Sequence, residues 1–98
     1  MEIYGYARDA KSGQSLDIQI QKLMDSGINI RKIFKDRRSG LDGERPELAE
    51  CLQKMSKGDI LVVTKIDRLA RNILHLNQIK NTLESKNCDL IILDQGID

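Results

Sequence analysis

Apolar residues along the chain fall into short groups whose spacing alternates between strand-like and helix-like. Ile3-Tyr4-Gly5-Tyr6-Ala7 predicts a strand, and the polar, glycine-containing stretch Asp9 to Gln14 a loop after it. Leu16, Ile20, Leu23 and Met24 recur at i, i+4, i+7 and i+8, one face of a helix, and Gly27 lies just past its end. Ile30, Ile33 and Phe34 predict a second strand, after which Asp36 to Glu44 has no apolar period and reads as a loop long enough to carry function. Pro46 suits the first position of a helix, Glu47 suits its dipole, and Leu48, Cys51, Leu52 and Met55 form its buried stripe, with an end near Gly58. Ile60-Leu61-Val62-Val63-Thr64 is continuously apolar and β-branched, as a central parallel strand covered on both faces would be. A charged turn, Lys65 to Arg71, leads to helical spacing at Ile73, Leu76, Ile79 and Leu83, and Leu90-Ile91-Ile92-Leu93 closes the series as a strand.

The order β-α-β-α-β-α-β, without a hairpin signal, predicts a three-layer α/β/α fold around a central, mostly parallel sheet of four to five strands. With 98 residues the chain has room for one domain, spanning 1–98. A single Phe and no Trp leave the core to aliphatic residues. Sixteen basic against fifteen acidic residues give a net charge of +1, so any anion site must be local rather than a property of the whole surface. Cys51 and Cys88 lack metal-ligand spacing and do not make a disulfide framework, which fits a reducing, cytoplasmic setting. No leader or membrane-spanning run is read, so no membrane partner is expected.

In open parallel sheets function gathers at the carboxyl ends of the strands. Cations from three segments head there: Arg8 after the first strand, Arg45 at the mouth of the second helix, and Lys65, Arg68 and Arg71 after the third strand, accompanied by Asp36 and Asp67. Guanidinium groups grip phosphate oxygens through paired, charge-assisted bonds, so such a cluster suits a phosphodiester without a metal. Any one arginine in so charged a chain is more often solvated surface; the grouping is what carries the reading. Arg45 also occupies a helix N-cap, where Ser, Thr, Asp or Asn is preferred, which hints at another duty. A competing reading makes Asp9, Asp36 and Asp67 a divalent-cation site for phosphate hydrolysis; the basic cluster outweighs it, and neither metal nor cofactor is expected. His75, beside Leu76 on a helix, and Cys51, on an apolar stripe, read as structural.

Tyr4-Gly5-Tyr6-Ala7-Arg8, Gln14-Ser15-Leu16-Asp17 with Gln19, Ser39-Gly40, Arg45-Pro46-x-Leu48, Lys65-x-Asp67-Arg68-Leu69-x-Arg71 and Gly96-Ile97-Asp98 together resemble the catalytic domain of serine site-specific DNA recombinases, the resolvase/invertase family. The resemblance runs over essentially the whole chain. It implies DNA as the partner, dimers and tetramers as assemblies, and strand cleavage by a serine hydroxyl that attacks a phosphodiester to give a 5′-phosphoserine and a free 3′-hydroxyl. It further implies that Arg8, Arg68 and Arg71 neutralise charge on the pentacovalent phosphate, with Arg45 and Lys65 assisting and Asp67 orienting the guanidinium groups. Gln14, Gln19, Asp36 and Ser39 match positions that line the family's site, and Tyr6 reads as support.

At the position where the family keeps its nucleophile this chain has Ala10, following Arg8-Asp9. A methyl group cannot attack phosphorus. Ser12 is displaced by roughly 6–7 Å of extended chain, too far to substitute when a misplacement of about 1 Å costs about a hundredfold, and Ser15 lies further still. Asp9 adds a carboxylate beside a site for an anion. The expectation is a recombinase domain deficient in cleavage, or alternatively a non-catalytic DNA-binding or regulatory relative that co-assembles with active recombinases. The family's usual oligomerisation helix and helix-turn-helix are not found in these residues, so weak, sequence-indifferent DNA contact is expected.

Overall fold

In the computed structural model, the structure describes residues 1–8, 16–37, 45–70 and 73–94. The elements run β1 (Ile3–Arg8), α1 (Leu16–Asp25), β2 (Ile33–Asp36), α2 (Pro46–Lys54), β3 (Ile60–Val63), α3 (Ile66–Leu69), α4 (Ile73–Ser85) and β4 (Asp89–Ile92). The four strands form one all-parallel sheet in the order β2-β1-β3-β4, so β1 and β3 are the inner strands. The continuous apolar run of β3 is explained by that position, since both of its faces are covered.

Strand alternation divides the core in two. Tyr6, Phe34, Leu61 and Val63 point to one face and pack with Leu48 and Cys51 of α2, Leu69 of α3, and Ile79 and Leu83 of α4. Ala7 and Val62 point to the other and pack with Leu16 and Leu23 of α1 and with Ile28. The three layers are therefore unequal, with α1 alone on its side. Gly5 lets α1 approach the sheet closely, because a Cβ there would meet Leu23 Cδ1 at 3.2 Å and Ile33 Cγ1 at 3.3 Å.

Helix ends follow local chemistry. Gly27, at φ +102°, closes α1: its N–H donates to Met24 O (2.9 Å) and the next N–H, of Ile28, reaches Leu23 O (3.2 Å). Asn87, at φ 60°, does the same for α4, with Cys88 N donating to Leu83 O at 2.9 Å. Both Ile28 and Cys88 then fold back into the core.

Three boundaries differ from the sequence-based expectation. Ile30 opens a 3₁₀ turn, Ile30–Lys32, because the Asn29 side chain accepts from Arg31 N at 2.9 Å, and β2 begins only at Ile33. α2 ends at Lys54 and the chain turns extended at Met55, so Gly58, at φ +89°, belongs to the turn before β3. The charged turn after β3 contains the single helical turn α3. No helix among the described residues is long and apolar enough to cross a membrane.

Candidate functional site

Because every strand is parallel, their carboxyl ends lie along one edge, and the chain leaves that edge at Arg8, Asp36, Lys65 and Asp94. Arg8 and Asp36 are register partners at the ends of β1 and β2. The end of β1 is fixed from α1: the Gln19 amide, fully buried, accepts from Arg8 N (3.0 Å) and donates to Arg8 O (2.7 Å). Gln19 thus satisfies both backbone groups of the residue that leads into positions 9 and 10.

Asp36 is 4% exposed and its carboxylate is fully engaged. Oδ2 accepts from the Tyr6 hydroxyl at 2.7 Å and from Leu48 N at 3.1 Å, and Oδ1 accepts from Glu47 N at 3.0 Å. Arg45 occupies the N-cap of α2, as its place before Pro46 predicts, and makes no capping bond of its own. Its guanidinium Nη1 instead donates to the carbonyl of Leu69, at the end of α3. Arg68, on α3, is also buried, and its backbone N–H donates to Lys65 O at 3.1 Å.

Burial pushes the Tyr6 hydroxyl far above its ordinary pKa, reinforced by the hydrogen bond to Asp36 and by the Asp36 charge, while Arg45 and Arg8 pull the other way. Lys65, half-buried where α3 begins, faces Asp94 beyond β4, with Nζ 3.7 Å from Oδ2. Arg45 also stands at one end of a groove of about 470 Å³ between α2 and α4, lined by Pro46, Leu48, Leu52, His75 and Ile79 among others.

Of the residues singled out from sequence, Arg8, Gln19, Asp36, Arg45, Lys65 and Arg68 are thus placed at or behind one edge of the sheet. Ala10, Gln14, Ser39 and Arg71, with Asp9 and the side chain of Asp67, lie outside the described residues. Sequence reasoning missed Asp94 as the partner of Lys65, the Leu69 carbonyl as an acceptor for Arg45, and the reach of Tyr6 into Asp36. Only the poor cap at Arg45 signalled any of this. Among the described residues no group of three or more His, Cys, Asp or Glu side chains is placed to hold a metal ion.

These features define a class: a small, parallel α/β domain with buried arginines gathered at the carboxyl edge of its sheet. The chain belongs to the serine site-specific recombinase family, as a match to the family described as "Resolvase, N terminal domain" over residues 3–98 establishes. It is 38% identical over 97 residues to a transposon Tn3 resolvase of Escherichia coli, covering 99% of this chain and 52% of that protein. It is 35% identical over 96 residues to the serine recombinase gin of Escherichia phage Mu, covering 98% of this chain and 49% of that protein. The chain therefore spans about half the length of these relatives. Among solved structures, a serine recombinase from Sulfolobus solfataricus shares the fold, with a TM-score of 0.75 at 22% identity over 99% of this chain and 71% of that one.

Proposed function

We propose that this chain is the catalytic-domain portion of a DNA recombinase that holds DNA phosphates through its basic edge and does not cleave them. The observation that carries the reading is the pair of buried arginines, Arg45 and Arg68, with Arg8 at the end of β1, a strand whose continuation reads Asp9-Ala10. By family resemblance Arg8, Arg45, Lys65, Arg68 and Arg71 would neutralise the phosphate, and Asp67 would orient them. In an active relative the serine Oγ bonds to phosphorus as the P–O3′ bond breaks, and the departing O3′ takes up a proton. Ala10 supplies no oxygen for the first half of that exchange.

The test is Ala10→Ser in the longest chain the gene encodes, incubated with supercoiled DNA carrying the sequences that flank that gene. The unaltered protein is expected to give no covalent protein–DNA adduct. The variant is expected to give one at reduced yield, because Asp9 still repels the phosphate. A robust adduct from the unaltered chain overturns the proposal. The same missing hydroxyl supports a second reading, a regulatory subunit that co-assembles with serine-bearing relatives. Failure to associate with itself or with an active relative would exclude that role.

A further inference from the structure

We infer that Asp36 is a positioning residue for Arg45: its carboxylate, held by the Tyr6 hydroxyl, caps α2 from outside the helix and so sets where Arg45 stands. The inference deepens the phosphate-binding reading above and rests on it for its DNA readout. It assigns Asp36 a place behind the site rather than in contact with the substrate.

The first amides of a helix lack partners within it. In α2 two of these amides are met by one side chain. Pro46, at the first position, has no N–H, and Ala49 N already donates to Arg45 O at 3.0 Å. Of the amides inside the first turn, those of Glu47 and Leu48 are both taken by Asp36, one on each oxygen, at 3.0 and 3.1 Å. A negative group at this end also answers the helix dipole. The Tyr6 hydroxyl, at 2.7 Å from Oδ2, fixes the carboxylate from the opposite side, so β1, β2 and α2 are joined at one point.

An N-cap residue ordinarily spends its own side chain on these amides. Arg45 does not, because a guanidinium carries no acceptor, and Asp36 supplies the acceptors in its place. The guanidinium reaches across to the carbonyl of Leu69, next to Arg68. The backbone of Arg45 is set by the capped helix and its side chain by α3. Loosening the first displaces the second.

Simple electrostatics and positioning make opposite predictions here. Removing a carboxylate near an anion site should tighten DNA binding. If Asp36 works through Arg45, Asp36→Asn should weaken binding of a short DNA duplex at low salt by about tenfold, since Asn can accept from one amide but presents its NH₂ to the other. Arg45→Ala should weaken it similarly, and the double variant should bind no worse than Arg45→Ala alone. Additive losses, or tighter binding by Asp36→Asn, would overturn the inference.

Tyr6→Phe keeps both amides capped and serves should Asp36→Asn fail to fold. It is expected to shift the Arg45 Nε–Hε resonance and to speed hydrogen exchange at Glu47 and Leu48 severalfold, and an unchanged resonance with unchanged exchange would refute the inference. If the unaltered chain binds no duplex and Arg45→Ala changes nothing, the functional reading fails, while the resonance and exchange measurements still decide the role of Asp36.

Discussion

The Thr64 side chain is fully buried just beyond β3, and its Oγ1 has no hydrogen-bond partner among the described residues, although its backbone oxygen accepts from Asp94 N at 2.8 Å. An unmet buried hydroxyl costs roughly 1–3 kcal/mol. Thr64→Val keeps the branched shape and removes the oxygen, so it should stabilise the domain by about 1 kcal/mol and raise its melting temperature by roughly 4–8 °C. A thermal melt checks this, and a lower midpoint would mean the hydroxyl contributes a bond. Tyr6 is the reverse case, a buried hydroxyl fully used. Its pKa lies above the ordinary 10.0 in the folded protein, and burial likewise pushes the Cys51 thiol from 9.0 up to about 12. Above pH 9 to 10 the unfolded chain releases these protons while the native state keeps them. The native state therefore binds more protons, and stability must fall as pH rises through this range. Urea titrations across alkaline pH should show that decline, with a shallower slope in Tyr6→Phe than in the unaltered protein.

At the scale of elements, α2 is secured from outside at both ends. Asp36 meets its N-terminal amides, and the Lys86 ammonium, from the end of α4, donates to the carbonyls of Leu52 (2.6 Å), Gln53 (3.2 Å) and Met55 (3.1 Å). Each charge has the sign that the helix end favours. Lys86→Met keeps most of the stem and removes the charge and its donors, so it should cost about 1–2 kcal/mol, read as a lower urea midpoint with unchanged slope. Which elements form was legible from sequence where burial imposes a period: β3 by its unbroken apolar run, α1 by its stripe and Gly27. The single turn α3 was not, because four residues are too short to display a helical repeat. The late start of β2 was hidden because Ile30 counts as apolar while the Asn29 side chain bends the backbone beneath it. In the site, the place of Arg8 at the carboxyl edge followed from the parallel topology alone. The grip of Asp36 on Glu47 did not, since it joins residues eleven apart across a loop and leaves no trace in spacing. The hold of Gln19 on the Arg8 backbone was hidden for the same reason.

For the whole molecule the decisive feature is the order of the sheet. Its inner strands, β1 and β3, pair Ile3 with Ile60 and Tyr6 with Val63, residues separated by more than half the chain. Pairings so distant in sequence impose a large closure entropy before any contact repays it, which places such topologies among the slower folders. On the ribosome, the first strand emerges with one of its two neighbours still untranslated. A fragment ending at Gly58 contains β1, β2 and α1, but the other hydrogen-bonding edge of β1 has no partner in it and Tyr6 lacks the cover of α3 and α4. The larger half of the core can close only after β3 has been followed by α3 and α4, which supply Leu69, Ile79 and Leu83.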